Sequence, residues 1–251
     1  MFMLVLITGA TSGIGKATAE LFAKHGYDLI ITGRRSERLQ DVKQDLEKLG
    51  VKVLSLCFDI RKLNEVKAAI ASIPSEMKQI DILVNNAGLA SGLSTIQDGD
   101  IDDWEKMIDT NVKGLLYITR EIAPLMVESK KGHIINIGSI AGKEVYANGN
   151  VYCATKHAVD ALNKGMRIDL LPHGIKVTSI NPGMIETEFS VVRFHGDEEK
   201  AKKVYEGFNP LTPEDIAETI YWTATRPAHV NINELIIMPT AQATATNTIR
   251  K

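Results

Sequence analysis

The sequence predicts an α/β protein built on one doubly wound parallel sheet of about seven strands, with helices on both faces. Short apolar runs alternate with stretches of helical periodicity along the chain of 251 residues, and this alternation implies right-handed crossovers between parallel strands. No linker, charge run or internal repeat interrupts it, so a single domain spanning 1–251 is expected. Two mixed stretches, the loop 184–211 and the tail 239–251, lie outside the alternation and are expected to be functional or disordered.

Seven short runs rich in Val, Ile and Leu predict the strands. They are four to seven residues long and mostly end at a glycine or a polar residue, as strands buried on both faces of a sheet do. In chain order the predicted strands are 2–8, 28–32, 52–58, 81–85, 133–137, 176–180 and 235–238.

Six stretches carry apolar residues at helical spacing and predict helices. Gly26 ends the first, Ser36 caps the second, and Thr212 followed by Pro213 opens the last. Pro124 is expected to kink or interrupt the fourth. The predicted helices are 13–25, 36–49, 63–73, 102–128, 151–171 and 213–225.

Composition excludes several classes of protein. Hydrophobic residues make up 44% and charged residues 24%, which excludes a disordered chain. The net charge is −2 with no basic stripe, so a nucleic-acid partner is not expected. No apolar run reaches the ~20 residues of a membrane span, and the apolar start lacks the basic region of a signal peptide. A cytoplasmic protein without a metal site is expected, with Cys57 and Cys153 as buried thiols.

A glycine-rich turn joins the first predicted strand to the first helix. Its spacing, Gly-x3-Gly-x-Gly, allows a tight turn and a close approach of the backbone to a pyrophosphate, while the helix N-terminus offers free N–H groups. The turn therefore predicts a dinucleotide site, although such a turn can also bind nothing. The residues assigned to it are Gly9, Thr11, Ser12, Gly13, Ile14 and Gly15.

Two arginines follow the second predicted strand, where an acidic residue would hold the ribose 2′-OH of NAD. Arg34 and Arg35 stand there instead, and a guanidinium matches a phosphate in bidentate geometry. They predict NADP(H) rather than NAD(H). The alternative is a solvated pair of arginines at the end of a strand.

A tyrosine and a lysine near the start of helix 151–171 share one face, since Tyr152 and Lys156 are four residues apart. A phenol has an ordinary pKa of about 10, too high for efficient proton exchange near pH 7. A cation ~4 Å away at an effective dielectric constant of about 20 would lower that pKa by about three units. The pair is compatible with a general acid/base, although an isolated pair of this kind is more often a surface pair.

Polar residues at the ends of neighbouring predicted strands favour the catalytic interpretation. Ser139 follows the fifth strand and can bind a substrate oxygen, while 85–88 end the fourth and 181–183 the sixth. The carboxyl ends of parallel strands are where such sheets bind ligands. Asn111, inside helical stretch 102–128, marks a break or a bound water.

In this order and spacing, the motifs resemble those of the classical short-chain dehydrogenase/reductase family, and the resemblance covers nearly the whole chain. The matching elements are Thr8-Gly9-x3-Gly13-Ile14-Gly15, Asp59, Asn85-Asn86-Ala87-Gly88, Asn111, Ser139, Tyr152-x3-Lys156, and Pro182-Gly183 followed by Thr187.

The resemblance implies a single Rossmann domain, usually in a homotetramer, that transfers a hydride between NADP(H) and an alcohol or carbonyl compound. Tyr152 would be the general acid/base, Lys156 would lower its pKa and hold the nicotinamide ribose, Ser139 would orient the substrate, and Asn111 would hold a proton-relaying water. Further implied cofactor contacts are Asp59, Ile60, Asn85, Ala87, Gly88, Pro182, Gly183, Ile185 and Thr187, with Arg34 at the position of a basic residue in NADP-preferring members.

The end of the chain departs from many members of this family, which have a Gly-Gly stretch after the last strand. The segment 236–242 lacks it and, with Gly196-Asp197, is similar to the NADP-dependent 3-hydroxy acid dehydrogenases, which oxidise serine, allo-threonine or small 3-hydroxy acids and reduce malonic semialdehyde. A carboxylated substrate needs a cation, for which Arg193 in the loop after Thr187 is the first candidate and Lys143 the second. The alternative is that Arg193 is an exposed loop arginine. The alternatives are a reductase of neutral ketones or aldehydes, a reductase of carrier-bound 3-oxoacyl groups, and a non-catalytic NADPH-binding regulator.

Overall fold

The computed structural model describes residues 3–251 and contains within them one parallel sheet of seven strands. The order across the sheet is β3-β2-β1-β4-β5-β6-β7, and every neighbouring pair is parallel. The predicted fold class is confirmed. The strands are β1 (Leu4–Ile7), β2 (Asp28–Gly33), β3 (Val53–Cys57), β4 (Ile82–Asn85), β5 (His133–Ile137), β6 (Lys176–Pro182) and β7 (Glu234–Ile237).

Helices cover both faces of the sheet. Six of the connections between strands follow the predicted pattern of helical crossovers, and the capping box at Thr212 opens the last helix as predicted. The helices are α1 (Gly13–Lys24), α2 (Ser36–Glu47), α3 (Leu63–Ala71), α4 (Ile101–Ile108), α5 (Leu115–Ser129), α6 (Asn150–Leu170), α7 (Glu188–Arg193), α8 (Glu198–Lys203) and α9 (Pro213–Ala224).

The central strand β1 shows how the sheet forms two cores. Val5 and Ile7 pack in a cluster with residues of α1, α2 and α9, whereas Leu4 and Leu6 pack on the opposite face with residues of α3 and α5. Successive side chains of a strand point to opposite faces, so a strand covered on both sides must be apolar throughout. This explains the continuous apolar runs in the sequence.

The strand order places a crevice at the carboxyl ends of β1 and β4. The chain moves outward from β1 to β2 and β3, then returns to β4 on the other side of β1. The connections leave β1 and β4 in opposite directions at this point, and the gap between them is where doubly wound sheets bind ligands.

The predicted helix 102–128 is broken, but not at its proline. Helix α4 is followed by one turn of π-helix, Asp109–Gly114, and α5 then continues through Pro124. The expected interruption at Pro124 is therefore wrong. The break lies at Asn111, where the sequence predicted a break or a bound water, and the side chain of Asn111 bonds the backbone of Leu89 in the neighbouring loop.

Three local expectations need correction or restriction. The stretch 184–211 contains the short helices α7 and α8, because the side chains of Thr187 and Asp197 cap their N-termini. Cys57 is exposed rather than buried, because β3 lies at the edge of the sheet. Strand β1 begins at Leu4, and Phe2, which the sequence assigned to it, lies outside the described residues.

Candidate active site

The turn between β1 and α1 has the geometry that its glycines suggest. Gly9 and Gly13 have φ angles of +70° and +53°, in the left-handed region that favours glycine. Ser12 precedes α1, but its side chain does not cap the helix. The first turn of α1, which lies wholly within the described residues, contains no acidic residue. The first N–H groups of α1 therefore face the crevice with the positive end of the helix dipole.

The arginines at the end of β2 lie beside this turn. Arg35 donates hydrogen bonds to Thr11 Oγ1 at 2.7 Å and Ser12 Oγ at 2.9 Å, and its other terminal nitrogen donates to Glu188 of α7 at 2.9 Å. Arg34 is half exposed, with its Nη1 atom 3.9 Å from Asp59 Oδ2. The cations are thus adjacent to the open helix end, which creates a site for phosphate groups.

Tyr152 and Lys156, two of the residues predicted to carry the chemistry, lie on the first turns of α6. Lys156 is buried and donates to the carbonyl of Ile137 at 2.9 Å, with its Nζ atom 6.0 Å from the centroid of the Tyr152 ring. Asn111 Nδ2 donates to Leu89 O at 2.8 Å and to Thr155 Oγ1 at 3.0 Å, and this ties the π-turn to α6.

Burial dominates the protonation of this pair. It raises the pKa of Tyr152 well above its usual value, and the nearby charge of Arg193 and a hydrogen bond to Ser139 oppose the shift only in part. Burial also lowers the pKa of Lys156 to about 8. The tyrosine shift is opposite to the one predicted from the sequence, because Lys156 points to Ile137 O, and the ring lies in a desolvated environment.

Arg193 forms the outer wall beside the tyrosine. Its guanidinium carbon lies 5.0 Å from the centroid of the Tyr152 ring and 5.1 Å from that of Phe189, and Nη2 donates to Tyr146 Oη at 2.9 Å. The Nε atom is buried and has no hydrogen-bond partner among residues 3–251. A buried donor without a partner costs free energy, and a carboxylate that bound the guanidinium and reached this nitrogen would offset that cost.

The second candidate for a substrate carboxylate, Lys143, is excluded by its own ion pairs. Its Nζ atom lies 2.6 Å from a carboxylate oxygen of Asp160 and 2.6 Å from one of Glu234. Two carboxylates already neutralise this ammonium group and fix it between α6 and β7. The sequence ranks Arg193 first and Lys143 second by position alone, since Arg193 lies in the loop after Thr187 and Lys143 follows Ser139.

A cavity of about 500 Å³ connects the arginines at the end of β2 to Tyr152. Four predicted site residues, Gly15, Asp59, Asn85 and Asn111, lie behind its wall: Asp59 pairs with Arg61, and the Asn85 amide donates to Thr119 and Asn136. The remaining predicted site residues line the cavity, namely Gly9, Thr11, Ser12, Gly13, Ile14, Arg34, Arg35, Ile60, Ala87, Gly88, Ser139, Tyr152, Lys156, Pro182, Gly183, Ile185, Thr187 and Arg193.

Sequence reasoning missed several residues on the cavity wall. Tyr146 and Phe189 surround the Arg193 guanidinium, and Gln242 from the tail accepts a hydrogen bond from Met184 N at 2.8 Å. The sequence indicates Tyr146 only by its position between Ser139 and Tyr152, and a single aromatic residue there does not predict a site by itself.

Comparison with known proteins identifies the family. A sequence model described as short chain dehydrogenase matches residues 3–198, more than three quarters of the chain. The chain belongs to the short chain dehydrogenase family. The resemblance inferred from the sequence motifs is confirmed, and the single parallel sheet with surrounding helices agrees with the family.

Relatives of this short chain dehydrogenase match it over nearly its whole length. The NADP-dependent 3-hydroxy acid dehydrogenase YdfG of Salmonella typhi is 51% identical over 244 residues, 97% of each chain. The serine 3-dehydrogenase of Rhizobium radiobacter is 46% identical over 241 residues, 96% of this chain and 95% of that one. The closed form of a serine dehydrogenase complexed with NADP+ superposes with a TM-score of 0.93 at 48% identity, covering 99% of this chain and 100% of that chain.

Residues 3–251 contain neither a membrane-spanning helix nor a group of metal ligands. None of the helices within 3–251 is both long and apolar enough to span a bilayer. Within the same residues no three His, Cys, Asp or Glu side chains come together as a metal would require.

Proposed function

We propose that this short chain dehydrogenase transfers a hydride reversibly between NADP(H) and a small 3-hydroxy acid of the serine, allo-threonine or 3-hydroxypropionate type. The observation that carries the substrate class is the Arg193 guanidinium above the Tyr152 ring, with its buried Nε atom unpartnered within residues 3–251. A planar guanidinium binds a carboxylate in bidentate geometry. The names of the relatives at 46% to 51% identity support the same substrate class.

The residues of the crevice fit NADP(H). The open N–H groups of α1 suit a diphosphate, and Arg34 and Arg35 suit a ribose 2′-phosphate beside them. Asp59, which lies 3.9 Å from Arg34, is paired with Arg61. Burial acts to raise the pKa of Asp59, but the hydrogen bond to Arg61 outweighs it and lowers that pKa, so Asp59 does not replace the arginines. When bound, the cofactor supplies the hydride acceptor or donor at C4 of its nicotinamide.

The chain itself holds the substrate and moves its proton. Tyr152 takes the hydroxyl proton in oxidation and returns it in reduction, while Ser139 binds the same oxygen. Lys156, buried behind the tyrosine, holds the ribose of the nicotinamide, and Asn111 links the lysine to solvent through a water. An added Cβ at Gly88 would lie 3.3 Å from Asn111 Oδ1 and 3.7 Å from Lys156 Nζ, so these groups are neighbours.

The substrate loop 184–211 and the tail 239–251 belong, in this proposal, to the single domain 1–251 and close the substrate end of the cavity. Tyr205 of the loop donates to Ile185 O at 2.8 Å, and Lys251 N donates to Gly207 O at 2.8 Å, so the tail packs back onto the loop. A homotetramer and a cytoplasmic location are proposed as well. Exposed apolar residues on two faces support the first, and free thiols support a reducing compartment.

The test is a screen of NADP+ reduction with serine, allo-threonine, 3-hydroxypropionate, 3-hydroxybutyrate and neutral alcohols. We expect kcat/KM to be highest with a 3-hydroxy acid, and Arg193→Ala to raise KM for that acid about tenfold or more, because a charge-assisted contact contributes roughly 1.5–3 kcal/mol. Equal effects of Arg193→Ala on acid and neutral alcohol, or a preference of the wild type for neutral alcohols, would exclude this substrate class.

A further inference from the structure

A buried carboxylate on α4 plays no part in the chemistry proposed above. Asp103 has a side chain that is only 7% exposed, and Ser91 Oγ donates to its Oδ1 atom at 2.6 Å. The ammonium of Lys106 lies 3.5 Å from the same oxygen. Burial acts to raise the pKa of Asp103, but the hydrogen bond from Ser91 and the charges of His195 and Lys106 outweigh it and lower that pKa.

The partner of the second oxygen comes from the substrate loop. His195 Nε2 lies 3.1 Å from Asp103 Oδ2. His195 follows Arg193 by two residues and has a φ angle of +55°, a left-handed conformation that is uncommon for a residue with a Cβ. Strained backbone of this kind persists only where surrounding contacts hold it.

A second contact holds the end of α7 close to Asp103. Gly92 N donates to the carbonyl of Arg193 at 2.9 Å, and Gly92 itself has a φ angle of +68°. A Cβ added at Gly92 would lie 2.6 Å from Asp103 Oδ2, so the backbone passes directly over the carboxylate. The carbonyl of Arg193 at the end of α7 is therefore fastened to the loop before α4, and the imidazole of His195 just beyond α7 is fastened to α4 itself.

We propose that Asp103 and His195 are positioning residues that hold Arg193 where it receives the substrate carboxylate. Helix α7 has only six residues, and a helix this short has little stability of its own. An arginine carried on it would lose conformational entropy each time it bound a ligand. Fixing the chain two residues beyond Arg193 removes part of that cost before the substrate arrives. The inference rests on the proposed role of Arg193.

The decisive variant is His195→Asn. Asparagine tolerates the left-handed conformation but is too short to reach Asp103, and the imidazole is 58% exposed, so the fold should survive. Kinetics are compared for 3-hydroxypropionate and its neutral methyl ester, with Asp103→Asn as a second, nearly isosteric variant. We expect each variant to raise KM for the acid roughly fivefold, with kcat and the KM for the ester nearly unchanged.

A double-mutant cycle separates positioning from general destabilisation. If His195 acts through Arg193, the double variant Arg193→Ala with His195→Asn has the same KM for the acid as Arg193→Ala alone. Lys106→Gln is the matched control, because it removes the other cation beside Asp103 without touching the substrate loop, and it should leave both KM values at the wild-type level.

Other results of these experiments would overturn either the positioning role of Asp103 and His195 or the carboxylate contact of Arg193. Additive effects in the cycle, or equal changes for acid and ester, would overturn the positioning role while leaving the proposed function intact. The positioning role would also be overturned if His195→Asn kept the wild-type KM for the acid while Arg193→Ala raised it. An Arg193→Ala enzyme with an unchanged KM for the acid would instead remove the carboxylate contact, and this inference with it.

Discussion

The guanidinium of Arg193 lies over the ring of Tyr152 at one end of the cavity, and its charge acts on the pKa of that tyrosine. The pKa of Tyr152 is raised by burial, so the phenol is protonated near neutral pH, and the charge of Arg193 opposes that shift. A protonated phenol is ready to act as an acid in reduction, whereas oxidation needs the phenolate. We therefore expect kcat for oxidation to rise with pH, and kcat for reduction to stay level until the pH approaches the raised pKa, as pH profiles of kcat in the two directions would show.

Replacing Tyr152 with phenylalanine removes only the acidic hydroxyl. We expect Tyr152→Phe to lower kcat by about 10²–10⁴-fold, the usual contribution of a general acid/base, and to leave the Kd for NADPH, measured by fluorescence titration, nearly unchanged. Tyr117→Phe on α5, outside the cavity, is the control and should retain full activity. Substantial activity in Tyr152→Phe would show that another group moves the proton.

The arginines at the end of β2 are proposed to set the preference for NADP(H) over NAD(H). Arg34→Ala and Arg35→Ala should each raise KM for NADPH about tenfold or more and leave KM for NADH little changed, since only NADPH carries the 2′-phosphate. Arg120→Ala, an exposed arginine on α5, controls for the loss of a positive charge. An unchanged ratio of kcat/KM for the two cofactors would contradict the assignment.

At the scale of elements, close packing of α1 against the β1 turn depends on one glycine. An added Cβ at Gly15 would lie 2.5 Å from Asn86 Nδ2 and would also meet the carbonyl of Gly9, whereas at Gly165 in α6 it would meet nothing within 4 Å in the described part of the chain. Gly15→Ala should lower the free energy of unfolding by about 1–3 kcal/mol. Gly165→Ala should raise it by about 0.5–1 kcal/mol, and denaturant unfolding of both variants tests this difference in sign.

The first residue of β5 makes stability depend on pH. Burial lowers the pKa of His133 from 6.5 to about 3, so between these values the unfolded chain binds a proton that the folded chain does not. The free energy of unfolding is therefore highest above pH 6.5 and falls with pH below it, by up to about 1.4 kcal/mol per unit. His133→Gln should weaken this dependence in denaturant titrations between pH 7 and 5, whereas His173→Gln, at an exposed histidine, should not.

At the scale of the whole molecule, apolar side chains remain exposed on two faces. Leu116, Ile168 and Leu171 lie on or beside α5 and α6, while Trp222 and Ile236 lie on α9 and the outer strand β7. Exposed apolar patches of this kind mark association surfaces, and β7 also presents the free edge of the sheet.

Light scattering tests the proposed assembly. We expect a mass of four chains of 27.6 kDa each, and Ile236→Lys at the sheet edge should give a smaller particle because a charge there opposes pairing. Leu49→Lys, at an exposed leucine after α2, is the control and should not change the mass. A monomeric wild type would contradict the proposal.

The fold was largely predictable because its signals are local. Apolar runs, helical periodicity and caps gave the seven strands and the main helices, and the glycine turn gave the position of the phosphate site. Prediction failed where tertiary contacts override local preference, since α5 continues through Pro124. The break lies instead at Asn111, where the sequence predicted a break or a bound water and where the side chain bonds a distant loop. The short helices α7 and α8 were missed because each has only six residues.

The sequence by itself determined the fold class, the family motifs and the basic character of the cofactor end, since each depends on residues a few positions apart. Only the tertiary structure decided which of the two candidate cations is already neutralised by carboxylates. The sequence ranked Arg193 above Lys143 only by its position in the substrate loop, whereas in the structure Lys143 lies between two carboxylates and Arg193 keeps a buried donor without a partner in residues 3–251. Burial and the saturation of hydrogen bonds depend on residues far apart in the chain, and no local pattern records them.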